Sequence, residues 1–368
     1  MKIAADKNIL FAKEAFSTLG DVKLFDQDEI INENIRDFDV LIIRSATKVD
    51  ENLLSGTKIK FVGSAVIGTD HINAKYLEEN DVGFSSAIGC NSRSVAEYVL
   101  TSIYTFCEKN QLSPKNMTVG IIGTGNIGGL VAKILKKLGI KTILNDPILE
   151  KRGISGFSSL DYLAQNSDII SVHVPLTTTG EYKTQNFLDD NFFKKLKRDA
   201  LFIQTSRGSV CDEIALSKIR NCVIDVWANE PNINVELAKN SIFHTPHIAG
   251  HSFDGKINGT KIIYEACCKY FSLTKKFDFE SEVFAKIENE IIEYKNNICD
   301  ILLKCCPIDD DSRNFEKLFC EENVAERKTI FKNLRQNYRK RLEFSHYTIK
   351  NVPKNFAEDL KILGFSVS

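Results

Sequence analysis

A glycine-rich turn constrains this chain more than any other feature. Gly123-Thr124-Gly125-Asn126-Ile127-Gly128 follows the apolar, β-branched run Thr118–Ile122 and opens the helix-period segment Ile127–Leu138. A strand, a tight glycine turn and a helix in that order form the start of a dinucleotide-binding unit. Gly123 permits the turn, Gly125 lets the backbone approach a pyrophosphate, and Gly128 allows close packing of helix on strand. The amides of Asn126 and Ile127 then open a helix whose N-terminus faces the phosphate charge. After the next apolar run, Ile143-Leu144-Asn145, comes Asp146. A carboxylate there accepts hydrogen bonds from ribose hydroxyls and repels a 2′-phosphate, which favours NAD over NADP.

The rest of the chain fits an α/β fold. Upstream, Lys2–Ala5, Val40–Ile43, Phe61–Val66 and Val82–Ser85 alternate with helical patterns such as Phe11–Leu19, the rhythm of βα units around a parallel sheet. A longer helical pattern, Ser94–Lys109, leads to a second set of strand candidates: Thr118–Ile122, Thr142–Asn145, Ile169–His173, Leu201–Thr205, Cys222–Val226 and Ile242–His244. Two doubly wound, Rossmann-like parallel-sheet lobes are expected. From about Phe277 the composition shifts toward Lys, Glu and Asn, with helical periods over Glu280–Leu303 and Val324–Tyr338. This third region reads as a dimerisation or packing module. A length of 368 residues accommodates such a plan.

Composition narrows the partners. Forty-eight Lys and Arg against 49 Asp and Glu give a formal charge of −1, so neither nucleic acid nor an anionic membrane is expected as a partner. The charge-free run Asn116–Ala132 is broken by glycines and falls short of the ~20 apolar residues that span a bilayer. The N-terminus does not read as a signal peptide, so a cytoplasmic protein is expected. Ten cysteines occur without any Cys-x-x-Cys spacing and read as reduced, mostly buried thiols.

Three polar residues follow strand candidates of the second lobe: Arg207 after Leu201–Ser206, Glu230 after Cys222–Trp227, and His247 after Ile242–Thr245 and a proline. In an open parallel sheet the carboxyl ends share one edge, where ligands bind. Together these residues suit oxidation of a 2-hydroxy acid. His247 would take the hydroxyl proton, Glu230 would fix the other ring nitrogen, and Arg207 would grip the carboxylate. Taken singly, each also admits a structural reading: a capping Glu before Pro231, a surface Arg, a core His. His244, His247 and His251 lack the spacing of a metal site, and no metal is expected. In the first lobe Arg44 and Lys48 follow the run Val40–Ile43, where basic groups would face a cleft; for Lys48 taken alone a solvated basic turn is the alternative.

These residues, with Arg44-Ser45-Ala46-Thr47-Lys48-Val49, Gly68-Thr69-Asp70-His71, Gly89-Cys90-Asn91, His173-Val174-Pro175-Leu176, Ser206-Arg207-Gly208, Asp225-Val226-Trp227 and His247-Ile248-Ala249-Gly250, resemble the D-specific 2-hydroxyacid dehydrogenase family over nearly the whole chain. Gly255-Lys256 and Gly259-Thr260 are closest to the branch that oxidises 4-phospho-D-erythronate in pyridoxal 5′-phosphate biosynthesis. The resemblance implies NAD as cofactor, a phosphorylated 2-hydroxy acid as substrate and a homodimer. It implies a lobe of residues 1–92 completed by about 256–278, an NAD-binding domain of 93–255, and a C-terminal α+β dimerisation domain of 279–368. It carries Arg207, Glu230 and His247 onto catalytic positions, and Asp146, Val174, Asp225 and Gly250 onto cofactor positions. Ser45, Val66, Gly68 and His251 fall on substrate positions. Val66 and Val174 stand where Thr is common, and His251 where Tyr is common. Alternatives are a related dehydrogenase acting on another acid, such as 3-phosphoglycerate, and an NAD-sensing corepressor-like protein.

Overall fold

A computed structural model describes residues 1–368. The chain divides into two compact units, residues 1–91 with 252–288, and residues 92–251 with 289–368.

The first unit is built on a five-stranded parallel sheet of β1 (Lys2–Asp6), β2 (Asp21–Phe25), β3 (Val40–Ile43), β4 (Phe61–Ser64) and β5 (Gly83–Ser86), in the order β2-β1-β3-β4-β5. β3 is buried along its whole length, as a central strand covered on both faces must be. One face packs Ile3, Ala5, Val40, Ile42 and Phe61 with Ile257, Ile263 and Tyr264 of the helix Phe253–Tyr270. The other packs Ala4, Leu41, Ile43 and Val62 with Leu53, Leu54 and Leu77. β2, which had not been expected, is an edge strand with only Phe25 buried, so its apolar signal is weak.

The second unit holds a six-stranded parallel sheet: β6 (Thr118–Ile122), β7 (Lys141–Asn145), β8 (Ile169–Val172), β9 (Leu201–Gln204), β10 (Asn221–Ile224) and β11 (Phe243–His244), in the order β7-β6-β8-β9-β10-β11. All six lie within two residues of the expected bounds. Against this sheet's unit runs the helix Ser92–Lys109, buried from Ser94 to Cys107. Its interior hydroxyls are satisfied by bonding back one turn, as in Thr101 Oγ1 to the Glu97 carbonyl at 2.8 Å and Thr105 Oγ1 to the Thr101 carbonyl at 2.7 Å.

The helix expected over Glu280–Leu303 is instead a short helix Phe279–Glu282, strand β12 (Glu290–Glu293) and a helix Ile298–Cys305. Within β12 only Ile292 is buried, and Ile291 is exposed, so this edge strand has one inward side chain and little apolar period of its own. Asn297 caps the following helix by accepting from the Asp300 amide at 2.8 Å. β12 pairs in parallel with β13 (Tyr347–Lys350), and β13 with β14 (Ser366–Val367). The expected helix over Val324–Tyr338 is present as Val324–Gln336. Residues 289–368 share one core with 92–251: Phe315, Leu318 and Phe331 pack with Trp227, Phe202 and Leu237.

A buried polar group also joins these segments. Glu97, fully buried, accepts from Arg93 Nε at 2.7 Å and from the Phe344 amide at 2.9 Å. Burial pushes its carboxyl up to about 8, against the pull of Arg93 and with added repulsion from Glu343.

Candidate active site

In both sheets the strand order reverses beside the first strand, between β1 and β3 and between β6 and β8. Ligands bind at the carboxyl ends of strands flanking such a reversal. In the second unit those ends carry the glycine turn, after β6, and His173-Val174, after β8. Gly123 has φ +82°, and a Cβ there would lie 2.7 Å from Val174 Cγ1 and 2.8 Å from the His173 carbonyl oxygen. A Cβ on Gly128 would lie 1.9 Å from the Gly123 carbonyl oxygen. Both glycines are therefore required by the protein itself. Gly125 differs, because a Cβ there would meet nothing within 4 Å. Its openness leaves room for backbone to meet a ligand, at the exposed start of the helix Asn126–Lys137.

Asp146, after β7, reaches the same turn. Its Oδ2 accepts from the Thr124 amide at 2.9 Å and its Oδ1 from the Leu149 amide at 3.1 Å. Two buried polar atoms nearby in the topology lack any partner, His173 Nδ1 after β8 and Thr205 Oγ1 after β9. Burial pushes His173 down to about 3, so its ring is neutral. Orphaned buried donors and acceptors are costly unless a ligand or water meets them. The open Gly125 and these orphans fit a dinucleotide on this edge.

Glu230 and His247 meet directly, and the loop that carries Arg207 is pressed against the loop that carries Glu230. Gly208 follows Arg207, and a Cβ at 208 would lie 1.9 Å from the Trp227 carbonyl carbon. Only glycine lets the β9 loop press against the β10 loop. The Arg207 carbonyl is held by Gln204 Nε2 at 3.0 Å. In the β10 loop, Glu230 Oε1 accepts from the Trp227 amide at 2.9 Å, and Glu230 Oε2 meets His247 Nδ1 at 2.8 Å. Burial raises the Glu230 carboxyl, but bonding to His247, its charge, the Trp227 amide and Arg335 outweigh it, so the carboxyl lies below its usual range. A bond from Nδ1–H to a carboxylate leaves Nε2 of the neutral ring as a proton acceptor. The His247 side chain is 27% exposed, enough for a small molecule to reach it.

His247 has φ 59°, a left-handed conformation uncommon for a residue with a Cβ. The turn is held by Asp225, 1% exposed, which accepts from Thr245 Oγ1 at 2.6 Å and from the Ile248 and Ala249 amides at 2.7 and 3.0 Å. Thr245 is bonded in turn to Tyr98 OH at 2.8 Å. Asp225, expected as a cofactor position, thus braces the His247 turn. Burial raises its carboxyl, against the His247 charge and these bonds. Gly250 lies in the same turn, and the His251 ring stands edge-on to Tyr338 at 6.2 Å. Val174, packed on Gly123, offers a cofactor only apolar surface and its backbone.

In the first unit, Arg44 follows β3 and its Nε meets Asp6 Oδ2, at the end of β1, at 2.8 Å. Its terminal amino groups make no other ion pair or hydrogen bond. Ser45 is exposed beside it. Lys48 pairs locally: its ammonium is 2.8 Å from Asp50 and its side chain is 78% exposed. Val66 and Gly68 follow β4, and the Val66 carbonyl accepts from the Ala87 amide at 3.0 Å. Lys256 lies in the first turn of the helix Phe253–Tyr270, and no local sequence pattern marks its chemistry. Loss of water around its ammonium and the nearby Arg44 charge hold it below the usual lysine range.

Residues 98–249 match the D-isomer specific 2-hydroxyacid dehydrogenase NAD binding domain, so the dinucleotide edge described above is that family's NAD-binding domain. Among solved structures, NAD⁺-bound 3-phosphoglycerate dehydrogenase of Entamoeba histolytica is 26% identical with a TM-score of 0.62, covering 76% of this chain and 98% of its own. D-lactate dehydrogenase of Aquifex aeolicus, 23% identical with a TM-score of 0.55, covers 74% of this chain and 96% of its own and shares the fold.

The full-length relatives are more particular. Erythronate-4-phosphate dehydrogenase of Wigglesworthia glossinidia brevipalpis is 40% identical over 100% of this chain and 98% of its own length. That of Bacteroides thetaiotaomicron is 37% identical over 95% and 99%. The chain belongs to the erythronate-4-phosphate dehydrogenase family of D-2-hydroxyacid dehydrogenases.

Proposed function

We propose that this chain is an NAD-dependent oxidoreductase that converts 4-phospho-D-erythronate to (R)-3-hydroxy-2-oxo-4-phosphooxybutanoate, an early step of pyridoxal 5′-phosphate biosynthesis. The 2.8 Å bond between Glu230 and His247 carries the assignment of reaction type, because it prepares one imidazole nitrogen to take a proton. The choice of acid rests on the full-length relatives.

His247 Nε2 takes the proton of the carbon 2 hydroxyl, and Glu230 holds the imidazolium that results. Arg207 pairs with the substrate carboxylate and polarises the forming carbonyl. NAD, when bound, accepts the hydride that leaves carbon 2. Gly123, Gly125, Asn126, Ile127 and Gly128 would hold its pyrophosphate and Asp146 its ribose, with Val174, Asp225 and Gly250 as further cofactor contacts. Arg44 and Ser45 are substrate contacts for the phosphorylated end, with Val66, Gly68 and His251 as further contacts and Lys48 a weaker one. Residues 279–368 join two copies into a homodimer. All ten cysteines are free thiols, which supports a reducing, cytoplasmic setting.

The test is NADH formation by purified protein with a panel of acids. The highest kcat/KM is expected with 4-phospho-D-erythronate. A higher value with 3-phosphoglycerate or an unphosphorylated acid would overturn the substrate assignment. NADH binding without turnover of any acid would favour a sensing role.

A further inference from the structure

The turn that carries His247 is gripped from two sides, and the second grip comes from a distant part of the chain. On one side Asp225 accepts the amides of Ile248 and Ala249. On the other, the Ala249 carbonyl accepts from Arg341 Nη2 at 2.7 Å, across 92 residues of sequence. Both polar groups of residue 249 are therefore held by buried charged side chains, two positions beyond a histidine at φ 59°.

Arg341 is only 3% exposed. Its guanidinium also donates to the Ser94 carbonyl at 3.2 Å and meets Cys306 Sγ at 3.2 Å. The segment before it is fixed by Asp311, which accepts from Tyr338 OH at 2.7 Å and from Arg339 Nη2 at 2.9 Å. Removing a guanidinium from water is expensive, and a buried charge kept for packing alone is commonly replaceable by apolar side chains. Here the donors of Arg341 reach main-chain oxygens in the helix Ser92–Lys109 and in the His247 turn. A left-handed non-glycine residue persists only where its surroundings over-determine it, and Arg341 supplies one of those restraints.

We infer that Arg341 is a positioning residue: it holds the His247 turn so that the imidazole stays on Glu230 with Nε2 toward the reacting hydroxyl. The C-terminal segment then takes part in catalysis through this contact, in addition to any role in assembly. This inference rests on the reading of His247 as the base. Misplacement of a reacting group by about 1 Å can cost ~100-fold in rate, so a partial loosening is expected to be visible.

The experiment compares wild type with Arg341→Met and Arg341→Lys in the full-length protein, by kinetics and by proton NMR of the Nδ1–H in the Glu230–His247 bond, assigned by its absence in His247→Asn. Arg341→Met is expected to lose at least about tenfold in kcat, to bind NADH as wild type does, and to lose or broaden the Nδ1–H signal. Arg341→Lys, which keeps a donor for Ala249, is expected to retain a displaced signal and kcat within about threefold of wild type. Folded Arg341→Met with wild-type kcat and an unchanged signal overturns the inference. If that variant does not fold, an undisplaced signal in Arg341→Lys overturns it. The NMR comparison needs no substrate, so it decides this point even if the acid proposed above is wrong.

Discussion

The two sheets share a strand reversal beside their first strand, yet their carboxyl edges are furnished differently. In the second unit, Glu230, His247, Asp225 and Thr245 bond mainly to one another and to neighbouring amides. In the first, Arg44 has one partner, Asp6, and Lys48 is turned to solvent with Asp50. Groups that move a proton must be held in place before reaction, because reorganising them during it costs rate. Groups that grip a ligand need only leave donors open for it. On the mechanism proposed above, the pre-bonded edge would carry the chemistry and the open one would grip the substrate.

The largest expected effect falls on the pre-bonded edge. His247→Asn should reduce kcat by ~10²–10⁴-fold, the range of general acid–base catalysis, with NADH affinity retained. Turnover near wild type would remove His247 from the mechanism and with it the contrast between the units. In the open edge, Arg44→Ala should lower kcat/KM for 4-phospho-D-erythronate by roughly 10–100-fold, the worth of a charge-assisted hydrogen bond, and affect erythronate little. Equal losses with both acids would show that Arg44 does not read the phosphate.

Glu97 sharpens the comparison through pH. Its folded-state pKa, about 8, lies above the ordinary 4.5, so between these values the folded protein retains a proton that the unfolded chain releases. Its contribution to stability is full below about pH 4.5, declines as pH rises and levels off near pH 8. Denaturant melts of Glu97→Gln should lack this decline, and a decline equal to that of wild type would assign it to other groups. The smallest effect is expected from Lys48→Ala. An exposed pair contributes about 0–1 kcal/mol, so kcat/KM for the phosphorylated acid should change less than about threefold. A larger loss would mean that Lys48 leaves Asp50 when substrate binds.

The sequence shows where chemistry is local and hides what is made by distant contacts. The glycine turn, Asp146 and the six strands of the second sheet are legible because each is set by neighbours a few residues away. Arg207, Glu230 and His247 are legible through one topological rule, that parallel strands end on one edge. β2 escapes because four of its five residues are not buried, and β12 because two adjacent isoleucines fit a helical and a strand period equally. Lys48 looked like Arg44 in sequence, yet Asp50, two residues on, engages it. No local pattern announces the bond from Arg341 to Ala249, since neither residue type nor spacing marks a partner 92 positions away. The Gly255-Lys256 pair carries a resemblance but no chemistry until the helix sets its ammonium in the field of Arg44.

The most direct test of the division between a reacting edge and a gripping edge is a crystal structure with NADH and 4-phospho-D-erythronate bound. The carbon 2 hydroxyl is expected within ~2.6–3.2 Å of His247 Nε2, with Glu230 still on Nδ1, the carboxylate on Arg207 and the phosphate on Arg44. A hydroxyl facing another group, or a phosphate held by Arg207 in place of the carboxylate, would contradict this account.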